Sequence, residues 1–146
     1  MIRFETSVRI ERPVDEVFAY VSEPENFPRW NSAVRTVRKT SAGEDPVGST
    51  YVMTRQLPGG QAENELEITV HERPREFAIR TLSGPTPFVY RYAFSPSDGG
   101  TLLELDAEVE LPGTAALVAP LARRAVKRGV DDNFATLKDT LEKRSP

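Results

Sequence analysis

The sequence contains no cysteine, which excludes disulfides, thiolate metal sites and thiol nucleophiles. A single histidine, His71, is the one side chain whose ordinary pKa lies near neutrality. With so few ligating residues no metal cluster can be assembled from spacing, and neither a metal nor another cofactor is expected. An excess of cations is missing too. Nineteen Lys and Arg face twenty-two Asp and Glu, a net charge of −3, which argues against nucleic acid as a partner. No eighteen apolar residues run together, so no membrane-spanning helix is expected. The start, Met1-Ile2-Arg3-Phe4-Glu5, alternates apolar and polar residues where a signal peptide would have an apolar core, and the chain is expected to be cytoplasmic. Repeats, linkers and low-complexity tracts are also lacking, and 146 residues suit a single domain over 1–146.

What is present is alternation. Ile2, Phe4, Thr6, Val8 and Ile10 interleave with Arg3, Glu5, Ser7, Arg9 and Glu11, the period of a strand with one wet face. Six more strands are expected at Val34 to Lys39, Ser49 to Leu57, Ala62 to His71, Phe77 to Leu82, Phe88 to Phe94 and Leu102 to Leu111. Pro58-Gly59-Gly60 reads as a hairpin, and the short connections after the second strand imply an antiparallel sheet. In the last strand Leu103, Leu105, Ala107, Val109 and Leu111 alternate with Glu104, Asp106, Glu108 and Glu110, so one face is solvated. Pro112-Gly113-Thr114 then announces a break and an N-cap. From Leu121 to Leu141 an apolar stripe of Ala122, Ala125, Val126, Gly129, Val130, Asn133, Phe134, Leu137 and Leu141 marks a long helix, which Pro120 starts or kinks.

Between the first two strands the chain reads Arg12-Pro13-Val14-Asp15-Glu16-Val17-Phe18-Ala19-Tyr20-Val21 and, after two residues, Pro24-Glu25-Asn26-Phe27-Pro28-Arg29-Trp30-Asn31. Val14, Val17, Phe18 and Val21 recur at helical spacing behind a proline tolerated at the first turn, and Pro24 and Pro28 delimit a second short helix. This segment, directly after an alternating N-terminal strand, resembles the SRPBCC superfamily of START-like, polyketide cyclase/dehydrase and lipid-transport proteins. The resemblance implies an α+β helix-grip fold, a curved seven-stranded antiparallel sheet around a long C-terminal helix. It also implies a pocket between the two, and the order of expected elements agrees along essentially the whole chain. Since catalytic members of the superfamily share no single residue pattern, no catalytic residue carries over.

Several side chains invite chemistry and have a plainer reading. Leu66, Ile68 and Val70 alternate inward on the fourth strand, which sends His71 to the solvent face as a surface histidine. The seventh-strand carboxylates alternate outward in the same way. Arg123, Arg124, Lys127 and Arg128 form a basic patch suited to anionic headgroups, yet Asp131 and Asp132 follow at once and read it as an ordinary solvated face. Trp30 is either a core anchor or, as the resemblance implies, an aromatic near the pocket mouth.

Function is therefore sought on the inward face. Parity places Tyr51, Met53 and Arg55 there with Asn64, Leu66 and Ile68, followed by Phe77, Ile79, Phe88, Tyr90 and Tyr92, with Val126, Gly129, Val130 and Asn133 opposite on the helix. Together with Trp30 these are the candidate ligand-binding residues. Thr81 and Phe94 share that face. An apolar wall with a few polar groups, each needing a partner when buried, is the composition of a small-molecule site. The expectation is binding or transport of a hydrophobic small molecule such as a lipid, polyketide or isoprenoid. The alternative is a polyketide cyclase/dehydratase-type enzyme in which Tyr90, Tyr92 or Arg55 polarises a carbonyl. A non-enzymatic partner-binding role, also known in the superfamily, is a third.

Overall fold

The N-terminal alternation becomes the edge of a seven-stranded sheet. In this computed structural model, which describes residues 1–57, 59–111, 113 and 115–144, β1 spans Ile2–Ile10, β2 Val34–Lys39, β3 Thr50–Leu57, β4 Gly60–Glu72, β5 Glu76–Ser83, β6 Phe88–Ser97 and β7 Gly100–Val109. Pro58 of the expected hairpin, and Pro112 and Thr114 of the expected break and cap, lie outside the described residues. Every pairing is antiparallel and the order is β1-β7-β6-β5-β4-β3-β2. Consecutive β1 and β2 thus occupy opposite edges. The chain between them crosses the sheet as helix α1 (Val14–Val21), a 3-10 turn at Pro24–Asn26 and helix α2 (Phe27–Trp30).

Alternation holds where a strand has one wet face. Leu103, Leu105, Ala107 and Val109 are buried, paired across the inner face with Val8, Thr6, Phe4 and Ile2. Outside, Arg3 bridges Asp106 at 2.9 Å. β6 and β7 run further toward each other than their proline and glycines suggest, because Asp98 (φ 47°) and Gly99 (φ 82°) form a two-residue turn whose twist suits a hairpin.

Bulges break the alternation and bend the sheet. On β4, Ile68 pairs with Ile79 but Val70 pairs with Ala78, so one extra residue inverts the parity. His71, expected on the solvent face, pairs with Phe77 and turns inward against Phe18, while Val70 turns outward. A second bulge between Val34 and Thr36 buries both Val34 and Val37 on β2.

The long helix α3 covers Ala119–Glu142 behind a 3-10 turn at Ala115–Val118. Pro120 falls in its first turn, where a missing N–H is no loss, and starts the helix without kinking it. Its apolar stripe is sealed only at the C-terminal end, where Phe134, Leu137 and Leu141 are buried. Upstream, Val126 and Val130 are half-buried, and Ala125 and Gly129 are exposed. Polar clasps tie α3 to β1 and its end: the Thr6 hydroxyl donates to Asp131, Lys138 Nζ to the Arg9 carbonyl at 2.8 Å, and Arg12 Nε to the Leu141 carbonyl at 2.9 Å. No helix among the described residues is long and apolar enough to cross a membrane.

Candidate functional site

Where α3 stands off the sheet it leaves a cavity of about 180 Å³. The α3 side is Val126, Gly129, Val130 and Asn133. The sheet supplies Met53 and Arg55 from β3, Ile79 from β5, and Phe88, Tyr90 and Tyr92 from β6. Trp30 with Phe27, Asn31, Ala33 and Val34 closes the remaining side.

The other expected site residues lie away from this lining. Leu66 is core, and Phe77 stacks on Tyr92 with ring centroids 5.8 Å apart. Tyr51 and Ile68 border a separate, more polar pocket of about 250 Å³ that also holds Ser22, Glu23, His71 and Arg73. Asn64 is buried and committed to the protein. Its Nδ2 donates to the Ser83 and Pro85 carbonyls at 3.1 and 2.9 Å, while its Oδ1 accepts from Arg55 Nε at 2.9 Å. The loop it holds passes so close that a Cβ on Gly84 (φ +98°) would sit 2.3 Å from the Glu63 carbonyl oxygen.

Parity could not have found Phe27, Asn31, Ala33 and Val34, because the crossing segment follows no strand period and a bulge displaces Val34. The three-residue spacing of Phe27 and Trp30 was the available signal; the two rings meet edge to face at 5.7 Å.

The polar groups of the cavity divide by commitment. Arg55 uses Nε on Asn64 and Nη2 on the Pro85 carbonyl at 2.8 Å, while Nη1 has no protein partner among the described residues. No carboxylate lies within ion-pair distance of it among those residues. Its guanidinium lies 5.8 Å over the Phe88 ring, and burial lowers its pKa, which the nearby Tyr90 partly offsets. Burial pushes the Tyr90 hydroxyl up to about 12 against the pull of Arg55, and raises Tyr92 further with Tyr90 adding to it. Both phenols are therefore protonated at neutral pH. Trp30 is 4% exposed, and its indole N–H is buried without an acceptor among the described residues. The acceptors, by contrast, are taken: Asn133 Oδ1 receives the Ser32 N–H at 3.2 Å, and Asn31 Oδ1 the Ala33 N–H at 3.0 Å. No group of three or more His, Asp or Glu able to hold a metal occurs among the described residues.

The family model described as polyketide cyclase/dehydrase and lipid transport matches residues 1–142. No curated protein sequence matches. Among solved structures, a START superfamily protein from Mycobacterium smegmatis superposes with a TM-score of 0.80 at 16% identity, covering 97% of each chain. A protein from Thermus thermophilus gives 0.80 at 15% identity over 94% of this chain and 95% of its own. The di-domain ARO/CYC StfQ from the steffimycin biosynthetic pathway gives 0.75 at 16% identity, with 94% of this chain covering 50% of that one. At these identities the likeness is one of fold.

Proposed function

The chain belongs to the polyketide cyclase/dehydrase and lipid-transport family, and on that footing we propose that it binds and carries a hydrophobic small molecule in the cavity between α3 and the sheet. The observation that supports this most is a cavity with an apolar wall of Phe27, Met53, Ile79, Phe88, Val126 and Val130 and, among the described residues, no carboxylate or imidazole in its lining. Such a site can hold and orient a molecule, but it lacks the groups that ordinarily move protons near pH 7. A ligand burying about 250 Å² of apolar surface gains roughly 6 kcal/mol gross, and association takes back at least about 4 kcal/mol. Polar contacts must supply the rest of the affinity.

Cyclase/dehydratase activity is the second reading. Tyr90 and Arg55 favour it, because a protonated phenol and a guanidinium on one wall can polarise a ketone oxygen.

Mass spectrometry of natively purified protein, with displacement of the neutral one-ring dye 4-(dimethylamino)benzonitrile, tests the carrier reading. An unmodified co-purified molecule that competes with the dye is the expected result, and Tyr90→Leu and Tyr92→Leu should change the ranking of a ligand panel more than the melting temperature. Turnover of a poly-ketone substrate, lost in Tyr90→Phe, would replace carriage by catalysis. Dye binding that survives closure of the cavity by Gly129→Leu would move the site elsewhere.

A further inference from the structure

Cavity size and the one-sidedness of its free polar groups go further, granted the reading above that the cavity binds a small molecule. We propose that its ligand is a compact organic anion, one ring in size, whose carboxylate or enolate oxygens face Arg55 and Tyr90.

Size comes first. A cavity of about 180 Å³ falls below the ~300–1,000 Å³ of ordinary ligand pockets and just above the ~150 Å³ that accommodates benzene. One ring with two small substituents fits. A long acyl chain or a fused polycycle would have to leave most of itself outside.

Charge follows from Arg55. A half-buried guanidinium with no carboxylate partner among the described residues bears a desolvation cost that an anion relieves. Its uncommitted Nη1 is held in place because Nε and Nη2 are anchored to Asn64 and Pro85. A guanidinium nitrogen fixed in this way presents a charge-assisted N–H in a set direction to a ligand oxygen.

Tyr90 adds the second contact. Its hydroxyl is protonated at neutral pH and shares the sheet wall with Arg55, so it can donate to the same anion. The Trp30 indole N–H, also unpaired among the described residues, is buried out of reach of a water-sized contact and offers the ligand nothing.

The test is calorimetric titration of wild-type protein with 4-acetylbenzoate, which carries a carboxylate and a ketone across one ring, against its uncharged isostere 4-acetylbenzamide and against decanoate. The acid should bind at least tenfold more tightly than the amide. Arg55→Met should abolish that preference and leave amide binding within about threefold, while Arg55→Lys, which keeps the charge, should retain part of it. Equal affinity for acid and amide in the wild type overturns the anion assignment while the cavity reading stands. Decanoate binding with neither ring compound bound overturns the size argument. Failure of every probe, the neutral dye included, overturns the cavity reading as well. Because the decisive comparison is made on unmodified protein, a variant that folds poorly does not rescue the proposal.

Discussion

His71 meets Phe18 edge to face on the inner side of the sheet, with ring centroids 5.0 Å apart and planes at 76°. The contact exists because the β4 bulge turns His71 toward α1, and Phe77 approaches from the other side at 6.5 Å. The single histidine thereby packs α1 onto the sheet, outside the lining of the cavity beneath α3.

His71→Ala should remove about 1 kcal/mol of aromatic contact, lowering the melting temperature by roughly 2–4 °C for a chain of this size. Ligand affinity at the cavity should stay within twofold. A thermal melt paired with a binding titration checks both, and a large loss of binding at unchanged stability would assign His71 to the functional site.

Gly129 separates packing from cavity. A Cβ built there meets nothing within 4 Å, and the residue lines the cavity from an exposed position. Gly129→Ala should therefore stabilise α3 by about 1 kcal/mol through helix propensity alone. Gly129→Leu should keep wild-type stability or better and cut ligand affinity at least tenfold by filling the mouth. If the leucine variant instead melts well below wild type, the space beside Gly129 is not free.

Legibility in the sequence followed the physics of each element. β1 and β7 could be read residue by residue because a sheet with one wet face imposes alternation, and the burial of Phe4, Leu103, Leu105 and Ala107 follows it. The same parity brought Met53, Arg55, Ile79, Tyr90 and Tyr92 to one face. It could not tell which part of that face is hollow: Phe18 of α1 packs on Phe94 at 5.1 Å and fills the end near Phe77, while α3 leaves the other end open. The bulges at Ile68/Val70 and Val34/Thr36 are backbone features with no residue signature here, and both shifted side chains, His71 and Val34, were misplaced or missed for that reason. On α3 the stripe identified the facing side, but periodicity carries no information about its distance from the sheet.

Acid should loosen the clasp between α3 and β1. Burial raises the Asp131 pKa, but the Thr6 hydroxyl and Lys127, the latter at 3.0 Å, together bring it below the usual carboxylate value; Asp106 is held low by Arg3. A carboxyl depressed in the folded state contributes stability above its unfolded pKa of about 3.9, and the contribution is lost as pH falls through the folded value. Both sites are partly exposed, so the effect is small and screened by salt. Asp131→Asn should lower the melting temperature slightly at pH 7, and the gap from wild type should narrow toward pH 3. A gap that persists undiminished at pH 3 would mean that the carboxylate charge plays no part in the clasp.

Asn64 should prove structural and yet govern ligand binding. It is buried, and its amide is the joint between β3, β4 and the loop at 83–86: two donations to Ser83 and Pro85 and one acceptance from Arg55. Asn64→Ala removes the amide that the Ser83 and Pro85 carbonyls and the Arg55 Nε share, at a cost of roughly 1–3 kcal/mol. The variant should melt several degrees lower. Arg55, left with only its Pro85 and Thr86 carbonyl contacts, should also lose the fixed direction of its free Nη1, so the preference for 4-acetylbenzoate over its amide should shrink although Arg55 itself is intact. Gly84→Ala provides an independent perturbation of the same joint, since it forces a side chain into the positive-φ turn and against the Glu63 carbonyl. If both variants lose stability but keep the full acid preference, the Asn64 joint does not position Arg55, and the guanidinium reaches its partner by some other restraint.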